Sequence, residues 1–119
     1  MTMTPQQLVA EAKAQIKEVD VHAAAQQINA GVTVIDVREP AEYEAGHLPN
    51  AVNIPRGVLE FKTSEHPALA NKEAPMLVYC KTGGRSSLAT LSLQRLGYTQ
   101  AVSMAGGFEA WLTTGLKVM

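Results

Sequence analysis

Met76-Leu77-Val78-Tyr79-Cys80-Lys81-Thr82-Gly83-Gly84-Arg85-Ser86-Ser87 is the stretch from which the rest of the chain can be read. The apolar run Met76 to Tyr79 reads as a short buried strand. It stops at the only cysteine of the sequence. Leu88, Leu91 and Leu96 then recur at helical spacing, and Gly97 stops the helix. The pattern is strand, tight loop, helix, with a thiol at the mouth of the loop.

That pattern has chemical consequences. A loop that runs into a helix N-terminus points free backbone N–H groups into one small space. Gly83 and Gly84 take dihedrals that other residues avoid, so successive N–H groups can converge as an anion nest. Lys81 and Arg85 add two positive charges. A cysteine in such a field favours the thiolate, and the same nest holds an oxyanion beside the sulfur. The competing reading is a buried cysteine acting as a small hydrophobe. The cationic, glycine-rich continuation Lys81-Thr82-Gly83-Gly84-Arg85-Ser86 favours the nucleophile.

Length and composition narrow the classes. The chain has 119 residues, enough for one domain with one core and no staples. It is 46% hydrophobic and 18% charged, with a net charge of -1, which speaks against disorder and against a nucleic-acid surface. A single cysteine forms no internal disulfide and suits a reducing compartment. The N-terminal residues lack a basic segment followed by an unbroken apolar one, and no apolar run is long enough for a membrane span. The expectation is a cytoplasmic protein with no nucleic-acid or membrane partner, and with no metal or cofactor.

Outward from the cysteine loop, strands and helices alternate. Thr4-Pro5-Gln6-Gln7 supplies an N-cap, a proline at the first helical position and a glutamine at the third. Leu8, Ala12 and Ile16, with Val9 beside them, predict an amphipathic helix over about 5–17 that packs on the domain. Residues 1–17 are thus expected to form an arm on a domain spanning 18–119. Glu18-Val19-Asp20 reads as a very short strand, with Asp20 capping a helix over Val21 to Asn29. Val32 to Val37 is a β-branched strand buried on both faces. It ends at Asp36 and Arg38, which read either as an ion pair pinning neighbouring loops or as a substrate contact.

Glu39 to Ala45 is a short helix closed by Gly46, and Ala51 to Ile54 is another strand. His47 between them reads as a structural hydrogen-bonding group. Val58 to Pro75 is a connection with one short helix, about Pro67 to Asn71. After the cysteine strand and its helix, Ala101 to Met104 is the last strand. Gly106-Gly107 is either a simple tight turn or a place of close backbone approach. Phe108, Trp111 and Leu112 then fall at core spacing on a closing helix. Alternation of this kind predicts an α/β fold with a parallel sheet and helices on both faces. It also places the ends of the second, fourth and fifth strands along one edge.

Several segments together resemble the rhodanese family of sulfurtransferases in its single-domain form, over about Asp20 to Leu116. They are Val34-Ile35-Asp36-Val37-Arg38-Glu39, Glu42-Tyr43, and Gly46-His47-Leu48-Pro49-Asn50-Ala51-Val52-Asn53-Ile54-Pro55. Further on they are Val78-Tyr79-Cys80 with Gly83-Gly84-Arg85-Ser86, and Gly106-Gly107-Phe108-Glu109-Ala110-Trp111. The helix before residue 18 lies outside the common pattern.

The resemblance implies a three-layer fold with a five-stranded parallel sheet in the order 1-5-4-2-3. It implies that Cys80 attacks the outer sulfur of thiosulfate or a similar small anionic donor, expels sulfite and becomes a persulfide. The sulfur then passes to cyanide, to a thiol or to a protein acceptor. The loop Lys81, Thr82, Gly83, Gly84, Arg85 and Ser86 would wrap the transferred sulfur, with Asp36 and Arg38 in supporting ion-pair positions. Three other readings compete. One is a persulfide carrier serving a protein partner. Another is a non-catalytic binding module, which would typically lack the cysteine. The third is a cysteine-dependent phosphatase or arsenate reductase. Those enzymes carry one residue more between cysteine and arginine than Lys81, Thr82, Gly83 and Gly84 provide, so this nest fits a phosphate poorly.

Overall fold

The protein, seen here as a computed structural model, is described over residues 2–119. In chain order it runs α1 (Pro5–Lys13), β1 (Glu18–Val19), α2 (Val21–Asn29), β2 (Thr33–Asp36), α3 (Pro40–Ala45) and β3 (Ala51–Asn53). It continues with α4 (Leu59–Lys62), β4 (Met76–Tyr79), α5 (Gly84–Arg95), β5 (Ala101–Met104) and α6 (Gly107–Leu112). Short 3-10 turns occupy Arg56–Val58 and Pro67–Leu69. The five strands form one sheet in the order β1-β5-β4-β2-β3, and every pairing is parallel. The C-terminal ends of β2, β4 and β5 therefore share one edge, as the alternation of elements requires.

β4 sits in the middle of the sheet, and all four of its residues are buried. Its pleat divides the interior in two. Met76, Val78 and Cys80 face one core with Ala89 and Leu93 of α5, Tyr98, Leu59 and Leu69. Leu77 and Tyr79 face the other with Ala24 and Ile28 of α2 and Trp111 of α6. Cys80 thus belongs to the α5 side of a three-layer fold.

Local chemistry sets most of the element boundaries. Thr4 and Gln7 form a reciprocal capping box at the start of α1, at 3.1 and 2.8 Å. Asp20 caps α2 through the Ala23 amide at 2.8 Å. The helix expected over about 5–17 ends at Lys13, and its buried face is led by Ala12 with Val9 half-buried, while Leu8 is 45% exposed. The β2 ladder is shorter at each end than the apolar run that forms it.

The leucines that mark α5 as a helix are not its buried face. Ser86, Ser87, Ala89, Thr90 and Leu93 face inward, whereas Leu88 and Leu91 are half-buried and Leu96 is exposed. Small side chains let α5 lie close on the sheet, and α1 covers part of its outer side, with Val9 against Gly84. On α6, Trp111 is buried and Phe108 half-buried, but Leu112 points out at 53% exposure. The connection after β3 holds the 3-10 turn Arg56–Val58 and α4 besides the expected turn at Pro67. Arg56 organises it by pairing with Glu60 at 2.8 Å and reaching Ser92 at 3.3 Å.

The other polar element of the core joins β2 to β4. The Tyr79 hydroxyl donates to Asp36 Oδ2 at 2.7 Å and accepts from the Leu48 amide at 3.1 Å. Burial first, and then the Asp36 charge, push the Tyr79 phenol upward, so it stays a donor. Removing the hydroxyl leaves the buried Leu48 N–H without an acceptor. Tyr79→Phe is therefore expected to cost about 1–3 kcal/mol in urea unfolding. An unchanged midpoint would show that this bridge contributes nothing.

Candidate active site

The chain leaves the sheet at Cys80 and turns at once into α5. Gly83 makes the turn possible, with φ at +110° in the left-handed region that side chains disfavour. The turn folds the backbone around the sulfur. The Gly83 N–H donates to Cys80 Sγ at 3.1 Å and the Ser86 N–H donates at 3.3 Å. The Ser86 hydroxyl lies 3.5 Å from the same sulfur. Gly84 and Arg85 open the helix, so their N–H groups have no preceding carbonyl in the helix to receive them. Cys80 itself is 1% exposed. A buried sulfur ringed by N–H donors is suited to carrying negative charge.

The outer wall of the loop is α6. Phe108 N–H donates to Cys80 O at 2.8 Å, and Glu109 N–H donates to Lys81 O at 3.0 Å. A Cβ on Gly107 would lie 2.5 Å from Lys81 O and 2.6 Å from Cys80 O. The Gly106-Gly107 pair is thus a place of close backbone approach, and Gly107 is dictated by contact as well as by its φ of +59°.

The two loop cations do not point their charge at the sulfur unopposed. Arg85 forms a fork with Glu42 of α3, at 2.8 and 3.1 Å. Lys81 is 59% exposed and stands 3.9 Å from Glu109. Thr82 is exposed beside them. Asp36 and Arg38 hold each other, with Arg38 Nη2 at 2.7 Å from Asp36 Oδ2 and at 2.7 Å from Gly46 O. The guanidinium is 4.4 Å from the Phe108 ring centroid and 5.5 Å from that of Tyr79. Of the two readings of this pair, the geometry is that of an ion pair pinning loops. His47 stacks on Tyr43 at 3.9 Å between centroids, and its Nδ1 donates to Tyr43 O at 3.0 Å.

Two residues at the site escape reading by sequence spacing. Glu42 is brought to Arg85 across 43 positions. Ser103 on β5 is fully buried and lies 2.8 Å from Ser86 Oγ, extending the polar chain behind the sulfur. Its signal in the sequence is a lone hydroxyl inside the apolar strand Ala101-Val102-Ser103-Met104. Among the described residues no cluster of His, Cys, Asp and Glu could hold a metal ion. A groove of about 640 Å³ lies around Gly31, Thr33, Ala74, Met76 and Ala101, at the opposite edge of the sheet from Cys80.

The Arg85 fork sets a pH dependence. Arg85, donating to Glu42, holds its carboxyl at about 2, well below the ordinary carboxylate value. A folded value below the unfolded one stabilises the fold above the unfolded value of about 4.3. That stabilisation is lost as pH falls through about 2. Both partners are about one-third exposed, so solvent limits the effect to roughly 1 kcal/mol. Glu42→Gln is expected to unfold at lower urea than the wild type at neutral pH, and the gap should close toward pH 2. A gap of constant size would rule out this fork as its source.

Known proteins are similar to this chain. The model of the Rhodanese-like domain matches residues 10–114. A protein of Allochromatium vinosum named a sulfurtransferase is 30% identical over 106 residues, covering 87% of this chain and 95% of that one. The thiosulfate sulfurtransferase GlpE of Coxiella burnetii is 35% identical over 80 residues, 67% of this chain and 71% of its own. A solved structure from Rhodopseudomonas palustris superposes with a TM-score of 0.85 at 28% identity, covering 100% of this chain and 96% of its own. That protein is described as of unknown function and a possible tyrosine phosphatase. With a domain match over nearly its whole length and the five-stranded order β1-β5-β4-β2-β3, the chain belongs to the rhodanese-like sulfurtransferase family.

Proposed function

We propose that the protein transfers sulfane sulfur from thiosulfate, or a similar small anionic donor, through a persulfide on Cys80. The observation that carries this reading is the pair of loop amides donating to Cys80 Sγ at 3.1 and 3.3 Å. They stabilise a thiolate before the reaction and a persulfide anion after it. The Cys80 thiolate attacks the outer sulfur of thiosulfate. The sulfur–sulfur bond of the donor breaks, and sulfite leaves with the bonding pair. Cyanide or an acceptor thiolate then attacks the outer sulfur of the persulfide and releases the Cys80 thiolate. No electrons or protons are left over in either step when thiosulfate and cyanide are used.

Acceptors in the cell are thiols, either small or on a protein partner, and the reducing cytoplasm keeps the single thiol in its reduced form. The phosphatase reading is weaker on two counts. Six residues from Cys80 to Arg85 leave a nest too small for three phosphate oxygens held at once. Arg85, the cation such an enzyme would turn to its anion, is committed to Glu42.

Cys80→Ser is expected to keep the fold and lose thiocyanate formation from thiosulfate and cyanide, because a hydroxyl neither ionises at neutral pH nor carries a persulfide. Mass spectrometry of the wild type after thiosulfate should show one added sulfur, removed by cyanide. Substantial thiocyanate formation by the serine variant would move the chemistry away from Cys80. Efficient hydrolysis of an aryl phosphate by a wild type inert to thiosulfate would favour the phosphatase.

A further inference from the structure

Three cations surround the cysteine loop, and they are held differently. Arg85 is locked in a two-point fork with Glu42. Lys81 extends into solvent, 3.9 Å from Glu109. The third, Lys13, comes from the last turn of α1. Its Nζ would lie 3.9 Å from a Cβ built on Gly83, the residue whose amide donates to Cys80 Sγ at 3.1 Å. The Gly106 amide nitrogen lies 3.6 Å from the same point. Gly83 is buried, and the Lys13 ammonium and the Gly106 nitrogen both stand at contact distance from the place a side chain would take there.

The placement of Lys13 is built rather than incidental. α1 docks on the first turn of α5, where Val9 Cγ2 would lie 3.7 Å from a Cβ on Gly84, and Ala12 is 1% exposed. Glu18 of β1 stands 3.8 Å from the ammonium, beyond hydrogen-bond reach. Its Oε2 is buried without a hydrogen-bond partner among the described residues. Lys13 is thus steered by Glu18 without being bound tightly by it, and remains 39% exposed.

We propose that Lys13 is a specificity-determining residue of this site, drawing the charged end of an anionic sulfur donor to the edge of the loop while the sulfane sulfur faces Cys80. The substrate class is small donors with an anionic group beside the reactive sulfur. The inference deepens the sulfurtransferase reading and gives α1 a task at the active site. A unit charge at this range in largely aqueous surroundings is worth roughly a threefold rate difference between an anionic and a neutral reagent.

Alkylation of the single cysteine tests this without any sulfur transfer. Iodoacetate carries a carboxylate, and iodoacetamide is its neutral counterpart. At low salt Lys13→Gln should react about threefold more slowly with iodoacetate and unchanged with iodoacetamide. Glu18→Gln, which releases Lys13 from its opposing charge, should shift the ratio the other way, and Lys13→Arg should keep it. In the thiosulfate–cyanide assay Lys13→Gln should raise KM for thiosulfate and leave kcat nearly unchanged. Equal slowing by both reagents, or no slowing by either, would overturn the proposal. A charge-dependent ratio in a protein inert to thiosulfate would support Lys13 while defeating the sulfurtransferase reading. Normal turnover with a ratio indifferent to Lys13 would do the reverse.

Discussion

Two backbone hydrogen bonds, from Phe108 N–H to Cys80 O and from Glu109 N–H to Lys81 O, set the geometry on which the site depends. A trans peptide unit points its carbonyl and its N–H in opposite directions. Tying the first two carbonyls of the loop outward to α6 therefore turns the N–H groups of Lys81 and Thr82 away from α6. The same two bonds need α6 to approach to within ordinary hydrogen-bond distance, and only a glycine at 107 leaves room for that. The anion nest is in this sense made from outside: α6 presses on the back of the loop, and Gly83 and Ser86 close its front on the sulfur.

A second constraint holds α6 and the loop in register with the sheet. Asp36 and Arg38 are nearly inaccessible, so their desolvation is costly unless each is fully engaged. They are engaged. Asp36 Oδ1 accepts from the Arg38 amide and Nε, and its Oδ2 accepts from Nη2, Nε and the Tyr79 hydroxyl. Arg38 spends its remaining reach on Gly46 O and lies against Phe108. One buried pair so ties β2, β4, the turn after α3 and the first turn of α6. A pair like this adds little net stability against an apolar core of the same shape, but removing one partner strands the other. Its consequence here is positional: Phe108, which supplies the N–H to Cys80 O, also lies against the Arg38 guanidinium.

Much of this was legible along the chain because the signals are local. β4 and β5 run over the residues the apolar runs mark, and α2 spans the residues set by the Asp20 cap. The strand order was implied by resemblance, since nothing in a hydrophobic period orders strands. Periodicity marked α5 as a helix but not its inward face, which is a stripe of Ser86, Ser87, Ala89, Thr90 and Leu93. Small residues won because they allow close approach to the sheet, a packing advantage that hydrophobicity alone does not register. At the site, the loop itself was readable, but the fate of its charges was not. Arg85 meets Glu42 and Ser86 meets Ser103 through the fold, and no spacing rule connects them.

The pairing of the charges divides the work of the site. Arg85, Lys81 and Lys13 each face a carboxylate, at 2.8, 3.9 and 3.8 Å. At Cys80 Sγ itself stand fixed backbone dipoles, which are directional and short-ranged and cost no reorganisation when charge develops. Such dipoles hold an anion once it is in place, but they attract little from a distance. Attraction over several ångströms needs a net charge that can turn toward an incoming group. Lys13 and Lys81, both beyond hydrogen-bond reach of their carboxylates, have that property, whereas the Arg85 fork does not. Amides from the loop and from α5 thus point at the sulfur, and α1 sets an ammonium beside that loop.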